Sequence, residues 1–182
     1  MKQLALLFVL TATVLTATAQ KKEKWRTFKS SEGEFRVQIP GEWKHIHQDF
    51  GATDAPTTLH INEHNTDSTN PANNVRFAVS WADLREHVNP DDHEAIQNVF
   101  DSQIERITNM LEGGIPVEDQ VTRYEGNPGL DVELNYANDR GKIYLRMFLV
   151  HNRLYLLEVT GMLAQIQHED LDRFFESLEI KF

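Results

Sequence analysis

The sequence predicts an α+β fold, an antiparallel sheet of about six or seven strands with helices on both faces. Two observations predict this arrangement. Residues 128–161 contain three apolar runs separated by two short turns, which is typical of consecutive antiparallel strands. In the second run, Ile143, Leu145 and Met147 share one face while Tyr144 and Phe148 share the other. A strand that is apolar on both sides is usually covered on both sides, so we expect an α/β/α sandwich.

The strands before residue 90 are predicted from alternating apolar residues and from turn-forming residues between them. Phe35, Val37 and Ile39 alternate with polar residues and are followed by Pro40-Gly41. Residues 65–74 are rich in Asn, Asp, Ser and Thr, so we expect a mobile loop there, where contacts with a partner could lie. The same criteria predict strands over residues 25–29, 35–39, 43–50, 57–63 and 75–81.

One long helix is predicted over residues 90–111. Asn89 is a suitable N-cap, Pro90 suits the first helical position, and Gly113-Gly114 suits the end. Apolar residues at spacings of three and four predict one buried stripe: Ile96, Val99, Phe100, Ile104, Ile107, Met110 and Leu111.

The remaining elements follow the same logic. Residues 117–124 form a weaker strand pattern, and turns at residues 138–141 and 151–153 separate the three central runs. Leu171, Phe174, Phe175 and Leu178 predict a shorter helix over residues 168–177, followed by a last strand.

The first 19 residues have the pattern of a signal peptide. Lys2 precedes an apolar run over residues 4–15, and Ala17-Thr18-Ala19 fits a cleavage site. The run is shorter than the roughly 20 apolar residues of a membrane span. We therefore expect residues 1–19 to be removed near Ala19, residues 20–182 to form a single domain, and the mature chain to be periplasmic or secreted. No transmembrane segment is expected in the mature chain.

The charge and the cysteine content exclude several classes of protein. The chain has 18 basic and 28 acidic residues, a net charge of −10, and loss of Lys2 with the signal peptide makes it −11. This charge disfavours nucleic acid and anionic lipid as partners. With no cysteine, the protein has neither disulfides nor a lipid-modified N-terminal cysteine.

Histidines form the most suggestive polar pattern. If residues 43–50 and 57–63 form a hairpin, His47 pairs with His60, and His45, His47, His60 and His64 share one face. Imidazoles placed in this way could bind zinc or copper, so His45, His47 and His60 are candidate metal ligands. The pattern is more commonly that of a polar, solvated strand face, and a one-residue shift of register would separate the ring pairs. A pH sensor is a further alternative.

Other polar clusters have simpler structural explanations. Residues 91–94 and 168–170 lie at predicted helix starts, where carboxylates cap free amides. Asp131 and Glu133 alternate on one strand and could act as acid and base, but such residues usually form the outer face of a half-buried strand. Trp25, Trp43 and Trp81 could mark a recognition surface or could be core residues. Enzyme signatures are missing, so no catalytic or cofactor-binding residue is assigned and no cofactor is expected.

The order of several motifs resembles a known group of proteins. The segments are TFKSSEGEFRVQIPGEW, YEGNPGLDVEL, IYLRMFLVHNRLYLLEV and the ending DRFFESLEI. Their succession over residues 25–182 resembles exported bacterial proteins of unassigned function with the PsbP-like fold, which is shared by PsbP, DcrB-type lipoproteins and the Mog proteins. The resemblance implies an antiparallel sheet with helices on both faces, and it implies no activity.

The leading functional hypothesis is a non-catalytic binding or assembly module of the cell envelope, whose partner is another envelope protein. The alternative is a metal-binding protein that uses the strand histidines. A hydrolase with a site that the sequence does not reveal is the third hypothesis.

Overall fold

The computed structural model of the chain describes residues 24–50, 57–111 and 115–181. Their elements, in chain order, are β1 (Trp25–Ser30), β2 (Phe35–Pro40), β3 (Lys44–Phe50), β4 (Thr57–Asn65), β5 (Val75–Asp83), α1 (His93–Met110), β6 (Ile115–Tyr124), β7 (Asn127–Tyr136), β8 (Gly141–Val150), β9 (Arg153–Met162), α2 (His168–Glu176) and β10 (Glu179–Ile180).

The described strands form two antiparallel sheets rather than the one sheet predicted. A large sheet has seven strands in the order β3-β4-β5-β9-β8-β7-β6, and a small sheet has three in the order β1-β2-β10. The three central strands pair as predicted, and Asn138, Asp139 and His151 adopt positive φ in the turns that join them. The small sheet was not anticipated, because it pairs β2 with β10 from the other end of the chain.

Helix α1 covers one face of the large sheet. Ile96, Phe100 and Ile107 are buried against Leu134 and Met147, together with further apolar residues of β7, β8 and β9. The predicted stripe therefore packs as expected over most of its length. Met110 is the exception, since its side chain is 67% exposed in the last turn of the helix.

The start of α1 differs from the prediction. Asn89 is not the N-cap; its Oδ1 accepts a hydrogen bond from the Asp91 amide before the helix begins. Asp92 is the N-cap, and its carboxylate accepts a hydrogen bond from the Ala95 amide at 3.0 Å. Both residues are good caps, so composition alone could not choose between them. The predicted end at Gly113-Gly114 lies outside the described residues.

The opposite face of the large sheet is not covered by a helix alone, which corrects the predicted sandwich. The small sheet and α2 pack there together, and one core cluster contains Phe35 and Val37 of β2, Phe174 of α2, and Phe77 and Trp81 of β5. Both faces of the large sheet are covered, as the two-sided apolar pattern of β8 predicts. The covering on this face is a second sheet with one short helix.

The signal peptide predicted over residues 1–19 lies outside the described residues. Among the helices of the described ranges, neither is both long and apolar enough to cross a bilayer.

Candidate functional site

The histidines are brought together by the pairing of β3 with β4. His47 pairs with His60, His45 with Asn62, and Ile46 with Ile61, which is the predicted register. Because side chains alternate along a strand, the histidines lie on one face and Ile46 on the other. Trp81 of β5 pairs with His60 of β4, so its side chain lies on the same face as the histidines. The site therefore lies at the margin of the face that the small sheet covers.

Three of the four predicted histidines form a compact cluster. His45, His47 and His60 can each present one nitrogen such that all three lie within 4.8 Å of one another. The closest contact is 3.1 Å, between Nε2 of His45 and Nε2 of His47. His45 and His47 are exposed and His60 is half-buried, so an ion can reach the cluster from solvent.

Two neighbouring side chains orient these rings. The Asn62 side chain is 3% exposed, and its Oδ1 accepts a hydrogen bond of 2.8 Å from Nδ1 of His45. This bond fixes the proton of His45 on Nδ1 and leaves the lone pair on Nε2, which faces His47. The His60 ring stacks on the Trp81 indole, with centroids 4.6 Å apart and planes 14° apart. The contacts with Asn62 and Trp81 thus hold two of the three rings in place, whereas the rings of a solvated strand face would have no such contacts.

His64 does not join the cluster. Its strand position opposite Phe77 puts it on the predicted face, but its Nδ1 bonds to the backbone carbonyl of Glu42 at 2.8 Å. Sequence alternation correctly predicts the face of His64, but it cannot predict the loop carbonyl that engages the ring.

Glu32 is a site residue that the sequence analysis missed. It lies in the β1–β2 turn, and its Oε1 is 3.6 Å from Nδ1 of His60. No short-range pattern links a turn near residue 32 with a strand near residue 60, because the contact depends on how the two sheets pack. The nearest signal was the turn pattern Ser30-Ser31-Glu32-Gly33, which marks a reversal of the chain without indicating what it faces.

An arginine anchors this turn to the large sheet. Arg153 makes two hydrogen bonds to the Asp83 carboxylate, at 2.6 and 3.0 Å, and a third of 3.1 Å to the Glu32 carbonyl. The hydrogen bonds from Arg153 hold the pKa of Asp83 below its usual value, and those to Asp83 raise the pKa of Arg153. The ion pair of Arg153 with Asp83 therefore lies next to the turn that carries Glu32 and is hydrogen-bonded to it.

The two carboxylates of β7 are ion-paired. Asp131 accepts two hydrogen bonds from Arg146, at 2.8 and 3.0 Å, and Glu133 accepts one of 2.5 Å from Lys142. The hydrogen bond to Glu133 is the main reason why the pKa of Lys142 is raised. Both carboxylates pair with cations of the neighbouring strand β8. Asp131 and Glu133 therefore fit the outer face of a half-buried strand better than an acid–base pair.

The tryptophans and the 65–74 loop also have structural roles. Trp81 is 2% exposed, and Trp25 and Trp43 pack half-buried on the same cluster. In the loop, the Asp67 carboxylate accepts hydrogen bonds from the Thr69 hydroxyl, the main cause of its lowered pKa, and from the amides of residues 69 and 70. The segment expected to be mobile is thus internally hydrogen-bonded.

An open cavity of about 470 Å³ lies on the other side of the large sheet. It is bounded by the start of α1 and by the β6–β7 turn, with Ile96, Phe100 and Leu130 as its apolar floor. It contains none of the clustered histidines, so the chemistry of the site does not involve it.

Comparison with known proteins defines the fold class. No protein-family model matches the sequence, and no curated protein matches it significantly. Among solved structures, cyanobacterial PsbP (CyanoP) from Synechocystis sp. PCC 6803 is similar with a TM-score of 0.53 at 8% identity, over 86% of this chain and 92% of that chain. A Pseudomonas aeruginosa protein of unknown function is similar with a TM-score of 0.45 at 13% identity, over 81% of this chain and 89% of that chain.

The protein is therefore a mostly antiparallel α+β protein. More particularly, its fold is PsbP-like, as the resemblance of the motifs implied. At 8% identity this likeness concerns the fold alone.

Proposed function

We propose that this protein binds a transition-metal ion of the zinc or copper class through His45, His47 and His60. The observation that carries the proposal is that three imidazole nitrogens, contributed by two paired strands, lie within 4.8 Å of one another. Imidazole is a preferred ligand of zinc and copper, and three such ligands are sufficient for a specific site.

The distances suit a four-coordinate ion after a small adjustment. Nitrogens bound to zinc at about 2.0–2.1 Å in a tetrahedron lie roughly 3.3 Å apart. The 3.1 Å contact of His45 with His47 is already close to that value. The widest pair, at up to 4.8 Å, has to close by about 1.5 Å. Rotation of the exposed His45 and His47 side chains can supply this movement, because neither ring is buried.

The hydrogen bonds of the cluster indicate which ring nitrogens can bind the ion. Since Nδ1 of His45 donates to Asn62, a neutral His45 accepts at Nε2, and the bridging proton comes from His47. Binding of an ion by both Nε2 atoms requires the proton of His47 to lie on its Nδ1 instead. Protons compete with the metal for imidazole lone pairs, so the affinity should fall on acidification. The net charge of −10 also favours a cation over an anion.

Isothermal titration of the purified protein with zinc chloride and with copper(II) chloride tests the proposal. We expect one ion per chain, with copper bound more tightly than zinc, as the general order of affinities requires. His47→Ala removes one ligand and should weaken zinc binding by at least about tenfold.

His93→Ala is the matched control. His93 is exposed at the start of α1, on the other side of the large sheet, so its loss should leave the affinity unchanged. The proposal is wrong if the wild-type protein gives no more heat than a His45→Ala/His47→Ala variant, or if the two single variants bind zinc equally well.

A second candidate function is the expected one of a non-catalytic module, exported to the cell envelope, that binds another envelope protein. One structural observation favours it: β6 is an edge strand whose Ile115, Val117 and Val121 are 63%, 55% and 75% exposed. An edge strand with exposed apolar side chains can accept a strand from a partner. Export itself rests on the sequence of residues 1–19.

A pull-down from envelope extract tests this second function. Wild-type protein should recover a partner that a Val121→Lys variant fails to recover, because a charge on the edge opposes strand addition. Recovery of the same proteins by both variants, or of none by the wild type, contradicts it.

A further inference from the structure

A carboxylate from the small sheet lies beside the three histidines of the large sheet. Oε1 of Glu32 is 3.6 Å from Nδ1 of His60, which is too long for a hydrogen bond. Nδ1 of His60 is itself buried and has no hydrogen-bond partner among the described residues. A buried ring nitrogen that faces a carboxylate across a gap of this size is the arrangement expected of two ligands on either side of an ion.

We propose that Glu32 is the fourth ligand, so that the site is a three-histidine, one-carboxylate centre that joins the small sheet to the large one. This inference rests on the proposed metal binding by the histidines. The 3.6 Å between Glu32 and His60 is close to the roughly 3.3 Å that separates neighbouring ligands around tetrahedral zinc. Glu32 lies outside the group of ligand atoms that are all within 4.8 Å of one another, so its exposed carboxylate has to turn toward the ion. With four protein ligands the coordination shell is closed, which is typical of structural rather than catalytic zinc.

The backbone of the β1–β2 turn is fixed from three sides. The Ser30 hydroxyl accepts a hydrogen bond of 2.9 Å from the Gly33 amide, the Tyr155 hydroxyl donates one of 3.0 Å to the Gly33 carbonyl, and Arg153 bonds to the Glu32 carbonyl. A Cβ at Gly33 would lie 2.6 Å from the Phe35 ring, so only glycine allows this close packing. The turn therefore holds Glu32 at a defined place beside His60.

The Glu32 side chain is free to move although its backbone is held. It is 62% exposed, whereas His60 is 19% exposed. An ordinary exposed ion pair of this kind contributes little to stability, so a purely electrostatic role of Glu32 would have a small effect. If Glu32 is a ligand, zinc binding should depend on the length of its side chain as well as on its charge, because a carboxylate oxygen has to contact the ion.

Three variants separate the two roles in zinc titrations. Glu32→Gln removes the charge, and Glu32→Asp keeps the charge but shortens the reach by one methylene. Both should weaken zinc binding by about 10- to 100-fold if Glu32 coordinates the ion. Glu42→Gln is the matched control, because Glu42 lies just before β3, is 86% exposed and carries the same charge, so its effect should be about twofold or less.

Thermal unfolding provides a second readout. Zinc should raise the melting temperature of the wild-type protein, because the ion joins the two sheets and binds only the folded chain. A tenfold loss of affinity in Glu32→Asp is about 1.4 kcal/mol, so its zinc-dependent shift should be smaller by about 3–5 °C at the same zinc concentration. Without zinc, the melting temperatures of all these variants should match that of the wild type.

The outcomes distinguish the two proposals. If His47→Ala weakens zinc binding while both Glu32 variants bind as the wild type does, the histidine site stands and Glu32 is not a ligand. If Glu32→Asp binds as the wild type does and only Glu32→Gln is weak, the carboxylate acts through its charge alone and the inference is wrong. If the wild-type protein does not bind zinc, both proposals fail.

Discussion

Removing the Tyr155 hydroxyl should loosen the β1–β2 turn without disturbing the core. Tyr155 is 2% exposed, and its hydroxyl donates a buried hydrogen bond of 3.0 Å to the Gly33 carbonyl, 122 positions away in the sequence. In a Tyr155→Phe variant the ring keeps its edge contact with Phe35, at 6.3 Å between centroids. The substitution therefore deletes one hydrogen bond between the two sheets and leaves the apolar packing in place.

The expected loss of stability is about 1–2 kcal/mol. A hydrogen bond contributes a net 0.5–1.5 kcal/mol or so, and a buried carbonyl left without its partner adds roughly 1 kcal/mol or more. Arg153, which bonds to the neighbouring Glu32 carbonyl, still holds the turn, so the lower part of the combined range applies. For a chain of this length, 1 kcal/mol corresponds to about 2–4 °C, so the melting temperature should fall by roughly 2–8 °C.

Urea unfolding followed by tryptophan fluorescence measures this effect. The midpoint should fall while the slope m stays unchanged, because the folded state remains as compact as before. Tyr144→Phe is the control, since Tyr144 packs in the same core cluster and makes no such hydrogen bond among the described residues. If Tyr155→Phe and Tyr144→Phe unfold at the same urea concentration, the hydrogen bond to Gly33 does not hold the turn, and the backbone of Glu32 is not fixed by it.

Two further predictions concern the core and the buried charges. Phe174 is fully buried against Phe77 and Trp43, so Phe174→Ala should lower the free energy of unfolding in urea by about 3–5 kcal/mol. Phe175 is half-buried, so Phe175→Ala should lower it clearly less. Equal losses in the two variants would contradict the assigned packing. Burial favours a raised pKa for Glu158, but Arg76 and the Thr160 hydroxyl outweigh it and hold that pKa below 4.5. The stabilising contribution of Glu158 is therefore present above pH 4.5 and is lost as the pH falls through its lowered pKa. On acidification the stability of Glu158→Gln should thus decline less than that of the wild-type protein. Parallel stability profiles of the two proteins would refute this.

Local patterns predicted most of the large sheet because all of its strand pairings except that of β5 with β9 are consecutive hairpins. Alternation fixes which side chains share a face, and short turns fix which residues pair, so the His47–His60 register followed from the positions of the two strands alone. The three central strands are predictable for the same reason.

Contacts between distant segments could not be predicted from the sequence. The small sheet depends on pairing of Phe35 with Ile180, and a two-residue strand such as β10 has too few residues to show any periodicity. The Glu32–His60 approach depends in turn on how this sheet packs on the large one. The helix start was misplaced by three residues because Asn89 and Asp92 are both good caps, and only the hydrogen bond to Ala95 distinguishes them.

The two cores differ in the span of chain that they require, and this difference sets an order of assembly. The core under α1 uses residues between Ile96 and Leu156, whereas the opposite core needs Phe35 near one end and Ile180 near the other. During synthesis from the N-terminus, the first core can close before the last residues have left the ribosome, but the second cannot. The His60–Glu32 approach depends on that second core, so a nascent chain or one truncated before β10 would present the histidines without their carboxylate.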